Sequence, residues 1–143
     1  MNNIFLRPAT TADLDALASM NKQLIEDEQH DNPMTLPQLK ERMEGFLEGD
    51  YTALICVDSA DNIVGYALVN QAAKSFYLRQ FFICRGERRK GYGRRFFHML
   101  LKHLNTDTID IEVLTGNEAG KAFWESLGFK PRSVYMRYEE RKQ

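Results

Sequence analysis

"RRKGYGRR", from Arg88 to Arg95, sets Gly91 and Gly93 one position apart among five basic residues. An extended apolar run, "SFYLRQFFICR" (Ser75 to Arg85), leads into it. Phe96, Phe97, Leu100, Leu101 and Leu104 lead out of it at helical spacing. A strand that becomes a helix through glycines presents backbone N–H groups at the helix start. Glycine permits φ > 0 and close approach, and the helix dipole favours an anion there. Three ligands fit such a stretch: a nucleic-acid backbone, a dinucleotide, or a phosphate-bearing coenzyme read without a base-specific site. The bland alternative is a solvated basic helix start with a glycine turn.

The rest of the chain narrows the choice. Nineteen Lys and Arg against twenty Asp and Glu leave a net charge of -1 over 143 residues. A dedicated nucleic-acid binder shows its positive excess globally, so no nucleic-acid partner is expected. A dinucleotide fingerprint needs a third glycine where Phe96 stands, and it follows the first strand of its fold. The lysine and Ser/Thr of a nucleotide-binding P-loop are absent. The 143 residues suit one domain, 1–143, with one core. No apolar stretch reaches the roughly 18 residues of a membrane span, and no signal-peptide core precedes "TTADL". A cytoplasmic protein with no membrane partner is the expectation. Cys56 and Cys84 read as reduced thiols in or near the core, without metal spacing. His98 and His103 lie five apart on one helix and read as solvent-facing, so no metal is expected.

Outward from the glycines the elements alternate in a definite order. "IFLRP" is a short strand. "TTADLDALASMNKQLIEDEQ" follows as a helix, with Thr10 and Asp13 as a capping box, and "NPM" breaks it. A second helix has Thr35 as N-cap and Pro37 in its first turn. "YTALICVD" and "NIVGYALVN" read as a hairpin, and Ser75 to Arg85 is a further strand. Beyond the glycine helix, "TIDIEVL" alternates as a strand and "NEAGKAFWESLGF" is a helix stopped by Gly128. "KPRSVYMRYEE" is expected to close the chain as a strand carrying Tyr135 and Tyr138. The fold class is α/β (α+β): a mixed, mostly antiparallel sheet with helices on both faces.

Two stretches resemble one family. Arg88, Gly91 and Gly93 match the R-G-x-G-x-G/A loop of the GNAT family of N-acetyltransferases, and Arg89 stands where a glycine is common. Beginning 24 residues after Gly93, "NEAGKAFWESLGF" resembles the second signature, N-x-x-A-x-x-L-Y-x-x-x-G-F. Asn117, Gly120, Phe123, Trp124, Gly128 and Phe129 occupy its positions. The element order agrees over essentially the whole chain. "YLRQFFICRGERRKGYG" is also similar to the matching stretch of polyamine acetyltransferases, with Arg79 and Gln80 where those have Glu and Asp.

The resemblance implies an acyl-CoA transferase fold, acetyl-CoA as cosubstrate and an amine as acceptor. It places Phe81, Phe82 and Ile83 along the pantetheine arm, which enters where the strand bulges and parts from its neighbour. Backbone amides from Arg89 to Arg94, through Lys90, Gly91, Tyr92 and Gly93, would hold the pyrophosphate. Arg88, Arg89 or Lys90 would meet the 3′-phosphate. Asn117, Gly120 and Trp124 belong to the same coenzyme set. In many members a Tyr of the second signature protonates the leaving thiolate. Trp124 stands there, and an indole N–H is no acid near neutral pH. Tyr135 is the substitute candidate acid and Glu112 the candidate base. The plain alternatives are a structural phenol and the polar side of a strand. The acidic run "IEDEQHD", with Glu26, Asp27, Glu28 and Asp31, would attract a cationic acceptor or simply be a solvated helix end. A CoA-binding sensor without transfer, and a homodimer, are compatible with the same reading.

Overall fold

The computed structural model describes residues 3–141. It contains β1 (Ile4–Pro8), α1 (Leu14–Asp27), α2 (Leu36–Glu48), β2 (Tyr51–Asp58), β3 (Ile63–Asn70), β4 (Phe76–Ile83), α3 (Tyr92–Leu104), β5 (Ile109–Asp110) and α4 (Glu118–Ser126). The chain divides into two compact units, Met1–Glu112 and Val113–Gln143.

In the first unit the five strands form one sheet in the order β1-β2-β3-β4-β5. The first three pairings are antiparallel, and β4 pairs with β5 in parallel. Side-chain alternation sends Ala53, Ile55, Val57, Tyr66, Leu68 and Phe82 to one face. There they pack with Leu14, Leu17 and Met20 of α1 and Met43 of α2. Phe81, one residue from Phe82, points to the other face and stacks on Phe96 of α3, centroids 5.2 Å apart. Helices therefore cover both faces, as expected. Leu54, Cys56, Ala67 and Val69 are buried on that second side, so the middles of β2 and β3 are apolar on both faces.

Local chemistry accounts for the helix ends. The Thr10 N–H donates to Asp13 Oδ2 at 2.8 Å, and a 3-10 turn at Thr11–Asp13 leads into α1. At α2 the Thr35 N–H donates to Gln38 Oε1 at 2.9 Å, while Thr35 Oγ1 accepts from the Gln38 amide at 3.4 Å. Helix α1 ends at Asp27, short of the expected break at Asn32 to Met34. Gln29 takes φ 52°, and the His30 amide closes back on the Ile25 carbonyl at 3.0 Å. That left-handed closure ends the helix before Asn32 and Pro33 are reached.

Two strand expectations are corrected. The expected "TIDIEVL" strand shrinks to Ile109–Asp110, paired to Phe76 and Tyr77. Between Leu78, opposite Val69, and Gln80, opposite Leu68, Arg79 is an extra residue in β4. A bulge of this kind turns the strand and displaces its hydrogen-bonding groups, so the parallel ladder stops short of it. In the second unit the expected closing strand does not form among residues 130–141. Val134, Tyr135, Met136 and Tyr138 are each at least 75% exposed. Alternation marks a two-sided extended segment, but a strand also needs a neighbour, which alternation does not specify.

Within that second unit, α4 is closed at both ends. Asn117 Oδ1 accepts from the Gly120 amide at 3.0 Å. Gly128 takes φ 103°, and its amide bonds the Glu125 carbonyl at 3.0 Å. The Phe129 amide bonds the Trp124 carbonyl at 3.1 Å, completing the left-handed stop.

Candidate active site

Strand β4 ends at Ile83, and a 3-10 turn at Arg85–Glu87 carries the chain to the glycines. Arg89 and Gly91 both take left-handed backbone, φ 65° and 78°. A side chain in this conformation costs about 1–2 kcal/mol, a cost that Arg89 carries and Gly91 avoids. Gly91 is the N-cap of α3. The first helical bond runs from the Arg95 amide to the Gly91 carbonyl at 3.3 Å, so the amides of Tyr92 and Gly93 precede the intrahelical ladder. A Cβ on Gly91 would meet nothing within 4 Å. Its requirement is conformational, and the space in front of the helix start is open. Tyr92 contributes backbone only, because its ring is buried, with the Arg95 guanidinium carbon 5.7 Å from its centroid.

The basic residues of the loop divide. Arg89 is exposed, and Lys90 pairs with Glu87 at 3.0 Å on the surface. Arg88 faces back into the protein. Its Nε donates to the Ile83 carbonyl at 2.9 Å, its Nη2 to Asp27, and its guanidinium lies over Phe82. Arg85 also donates to Asp27, at 2.8 Å, and to Glu26 at 3.2 Å. Arg88 thus fastens the loop to the end of α1. The acidic run offers less to a cationic acceptor than its sequence implies, because Glu26 and Asp27 are engaged by these arginines. Charge complementarity between "IEDE" and "RGERR" was the available signal for this latch.

Burial pushes the Asp27 carboxyl up, but the hydrogen bonds and charges of Arg88 and Arg85 outweigh it and hold it below the usual range. A lowered folded value means stabilisation present above the unfolded carboxyl range, near pH ~4, and lost as pH falls further. Thermal melts of wild type and Asp27→Asn from pH 6 to pH 3 are expected to converge on acidification, with wild type losing more. Parallel curves at every pH remove the latch.

Along β4, Phe82 is buried on the α1 and α2 side, and Phe81 and Ile83 are half-buried. Gln80 is buried and accepts from the Tyr66 hydroxyl at 2.8 Å. Glu112 is exposed, two residues past β5. Tyr77 lies near it: burial first, then the Glu112 charge, raises the Tyr77 phenol. Sequence reasoning passed over Tyr77, whose nearness to Glu112 follows from the β4–β5 pairing. The Cys56 thiol is pushed up to about 12 by burial, so it is no nucleophile. Cys84 is half-buried, and both cysteines are free. His98 and His103 are exposed. Among the described residues no group of His, Cys, Asp and Glu is arranged to hold a metal.

In the second unit Asn117 caps α4, and its side chain lies close against Gly120. A Cβ on Gly120 would stand 2.4 Å from Asn117 Nδ2. Asn117→Ala is expected to remove the cap and cost about 1 kcal/mol in denaturant unfolding; an unchanged midpoint refutes this. Trp124 packs on Phe129, centroids 5.2 Å apart, across the left-handed stop. Tyr135, expected on a strand, is 78% exposed in an extended segment, and its hydroxyl accepts from Arg137 at 3.0 Å.

The model of the acetyltransferase (GNAT) domain matches residues 17–139. The chain belongs to the GNAT family. An uncharacterised protein of Mycobacterium leprae is 27% identical over 139 residues, covering 94% of this GNAT chain and 37% of its own length. The chain therefore spans little more than a third of that curated relative. A variant of the BH1408 protein from Bacillus halodurans superposes with a TM-score of 0.78 at 22% identity, covering 95% of this chain and 99% of that one. The aminoglycoside N-acetyltransferase AAC(6')-Iy, in complex with CoA, gives 0.76 at 15% identity, with 99% and 97% covered. A predicted acetyltransferase from Clostridium acetobutylicum, with acetyl-CoA, gives 0.73 at 15% identity, with 96% of each covered. These structural likenesses establish the GNAT fold. Among the described residues no helix is long and apolar enough to cross a membrane.

Proposed function

We propose that this protein is an acetyl-CoA-dependent N-acetyltransferase, moving the acetyl group to a primary amine of a small molecule or peptide by direct attack. One observation carries the reading. A left-handed glycine opens α3 one 3-10 turn after a bulged strand whose ladder to its neighbour stops at Tyr77–Asp110. The helix start suits a pyrophosphate: the Tyr92 and Gly93 amides precede the helical ladder, and Arg89 and Lys90 stand beside them. Family membership supports a place along the pantetheine arm for Phe81, Phe82 and Ile83, and at the pyrophosphate for the Arg94 amide. It extends the coenzyme set to Asn117, Gly120 and Trp124 by resemblance alone. Residues 1–143 are proposed to act as one N-acetyltransferase domain.

The chemistry asks three things of the protein. An amine near pKa ~10 must lose a proton before it attacks. Glu112 is the proposed acceptor of that proton, directly or through water. The oxyanion that forms needs a donor, and a β4 backbone N–H near Ile83 is the proposed one. The thiolate then leaves. Tyr135 is the proposed donor to it, and CoA thiolate is a fair leaving group without one. The test is kcat against pH for wild type, Glu112→Gln and Tyr135→Phe. A Tyr135→Phe profile matching wild type removes the enzymic acid.

A second reading is a CoA-binding domain without transfer. Gln80 favours it: where polyamine acetyltransferases have a carboxylate, this chain has an amide already occupied by Tyr66. Thiol release from acetyl-CoA with polyamines, amino acids, aminoglycosides and peptides separates the readings. Calorimetric CoA binding without thiol release from any amine selects the sensor. No CoA binding at all overturns both.

A further inference from the structure

Two arginines that the acyl-transfer chemistry leaves unused stand over one aromatic ring. The guanidinium carbon of Arg42, on α2, lies 5.4 Å from the Phe46 centroid, and that of Arg79 lies 4.9 Å from the same centroid. Arg79 also reaches the Tyr51 hydroxyl at 3.4 Å, and the Phe46 and Tyr51 rings are 4.8 Å apart. Arg42 Nη2 donates to the side chain of Asn21, which is 2% exposed, at 3.1 Å. Arg42 Nε is buried with no partner.

Among the described residues neither arginine is in an ion pair with a carboxylate. Burial and the neighbouring Arg79 charge both act against the Arg42 cation. Like charges brought together without a counter-ion leave an electrostatic deficit that an anion relieves. A recess of about 550 Å3 opens at Arg42, lined also by Pro33, Met34, Gln38 and Glu41 but not by Arg79. Arg79 is the extra residue of the β4 bulge, beyond which β5 no longer pairs. Under the proposed function the acceptor amine approaches β4, the strand that also carries Arg79. Of the acidic run, Glu26 and Asp27 are taken by Arg85 and Arg88, whereas Glu28 and Asp31 are not engaged by these arginines.

We propose that Arg42 and Arg79 form the anion seat of the acceptor site, so that the amine acetylated carries a carboxylate or a phosphate. The inference rests on the acyl-transfer reading and adds the substrate class. Planar guanidinium groups match either anion with paired N–H donors, and stacking on Phe46 and Tyr51 pre-orients them.

Matched acceptors test it: amino acids against their carboxamides, and phosphoethanolamine against ethanolamine, with spermidine as the cationic control. The anionic member of at least one pair is expected to show KM about tenfold lower or better, and the productive pair tells carboxylate from phosphate. Arg79→Gln is expected to raise KM for that anion roughly ten- to hundredfold and bring the ratio within the pair toward one. Arg42→Lys, which keeps a charge, should act in the same direction with a smaller effect. Equal kcat/KM within both pairs overturns the seat. So does a preference for spermidine, or a preference for the anion that survives both substitutions. Lower melting temperatures with an unchanged ratio show that the arginines only pack. If no amine releases thiol, the acyl-transfer reading fails on that result. Calorimetry of the same pairs on CoA-saturated protein then decides the seat alone: tighter anion binding supports it, and equal or absent binding overturns it.

Discussion

Gly91→Asp is expected to abolish acetyl-CoA binding while leaving the fold intact. Asp tolerates the left-handed backbone better than most residues, and a Cβ at Gly91 meets nothing within 4 Å. A carboxylate at an N-cap also suits the helix. The fold therefore has little reason to fail. Binding has a strong one, because the new charge stands at the helix start proposed to receive the pyrophosphate. Like unit charges about 4 Å apart near a surface cost about 4 kcal/mol, which lowers affinity by more than about a hundredfold. Gly91→Asn is the control, with the same shape and no charge, and it should retain most of the binding. Calorimetry showing wild-type affinity for the Asp variant would falsify the loop as the phosphate site.

Gly65→Ala is expected to cause the largest loss of stability. Gly65 lies in β3 opposite Ile83, beside the irregularity where β2 and β3 change register. A Cβ there would stand 2.1 Å from the Phe82 carbonyl oxygen and 3.2 Å from Ile83 Cα. Both atoms are backbone, so no side chain can turn aside, and β3 must move away from β4. Forcing strands apart in a packed sheet costs about 3 kcal/mol, at the upper end for overpacking. The denaturant midpoint should fall accordingly. Because β4 is the strand proposed to carry the pantetheine arm, any folded fraction should also bind coenzyme less well. An unchanged midpoint means that the sheet yields at this crossing, and the close approach has no role.

What the sequence determined by itself is local. Thr10 with Asp13, Thr35 with Gln38, and Asn117 are legible as caps because their partners lie three residues away. Gly91 and Gly128 are legible as left-handed turns because few other residues take that backbone without cost. The β2–β3 hairpin, the two-faced sheet and the glycine-to-helix junction follow from hydrophobic period and turn residues over short windows.

The tertiary structure decided whatever depends on a neighbour distant in sequence. Alternation in "TIDIEVL" could not show that β4 would bulge at Arg79 and end the ladder after two pairs. Alternation in "KPRSVYMRYEE" could not supply a partner, and no strand formed there. Arg88 reads as a phosphate ligand by motif, and the motif says nothing of its hydrogen bond to Asp27, 61 residues earlier. Arg42 and Arg79 share the Phe46 ring only because α2 and β4 pass close together. A cap or a turn is an interaction between near neighbours, so the local sequence carries it. Strand partners and ion pairs follow from which long-range contacts win in competition, and that competition is settled only when the chain has packed.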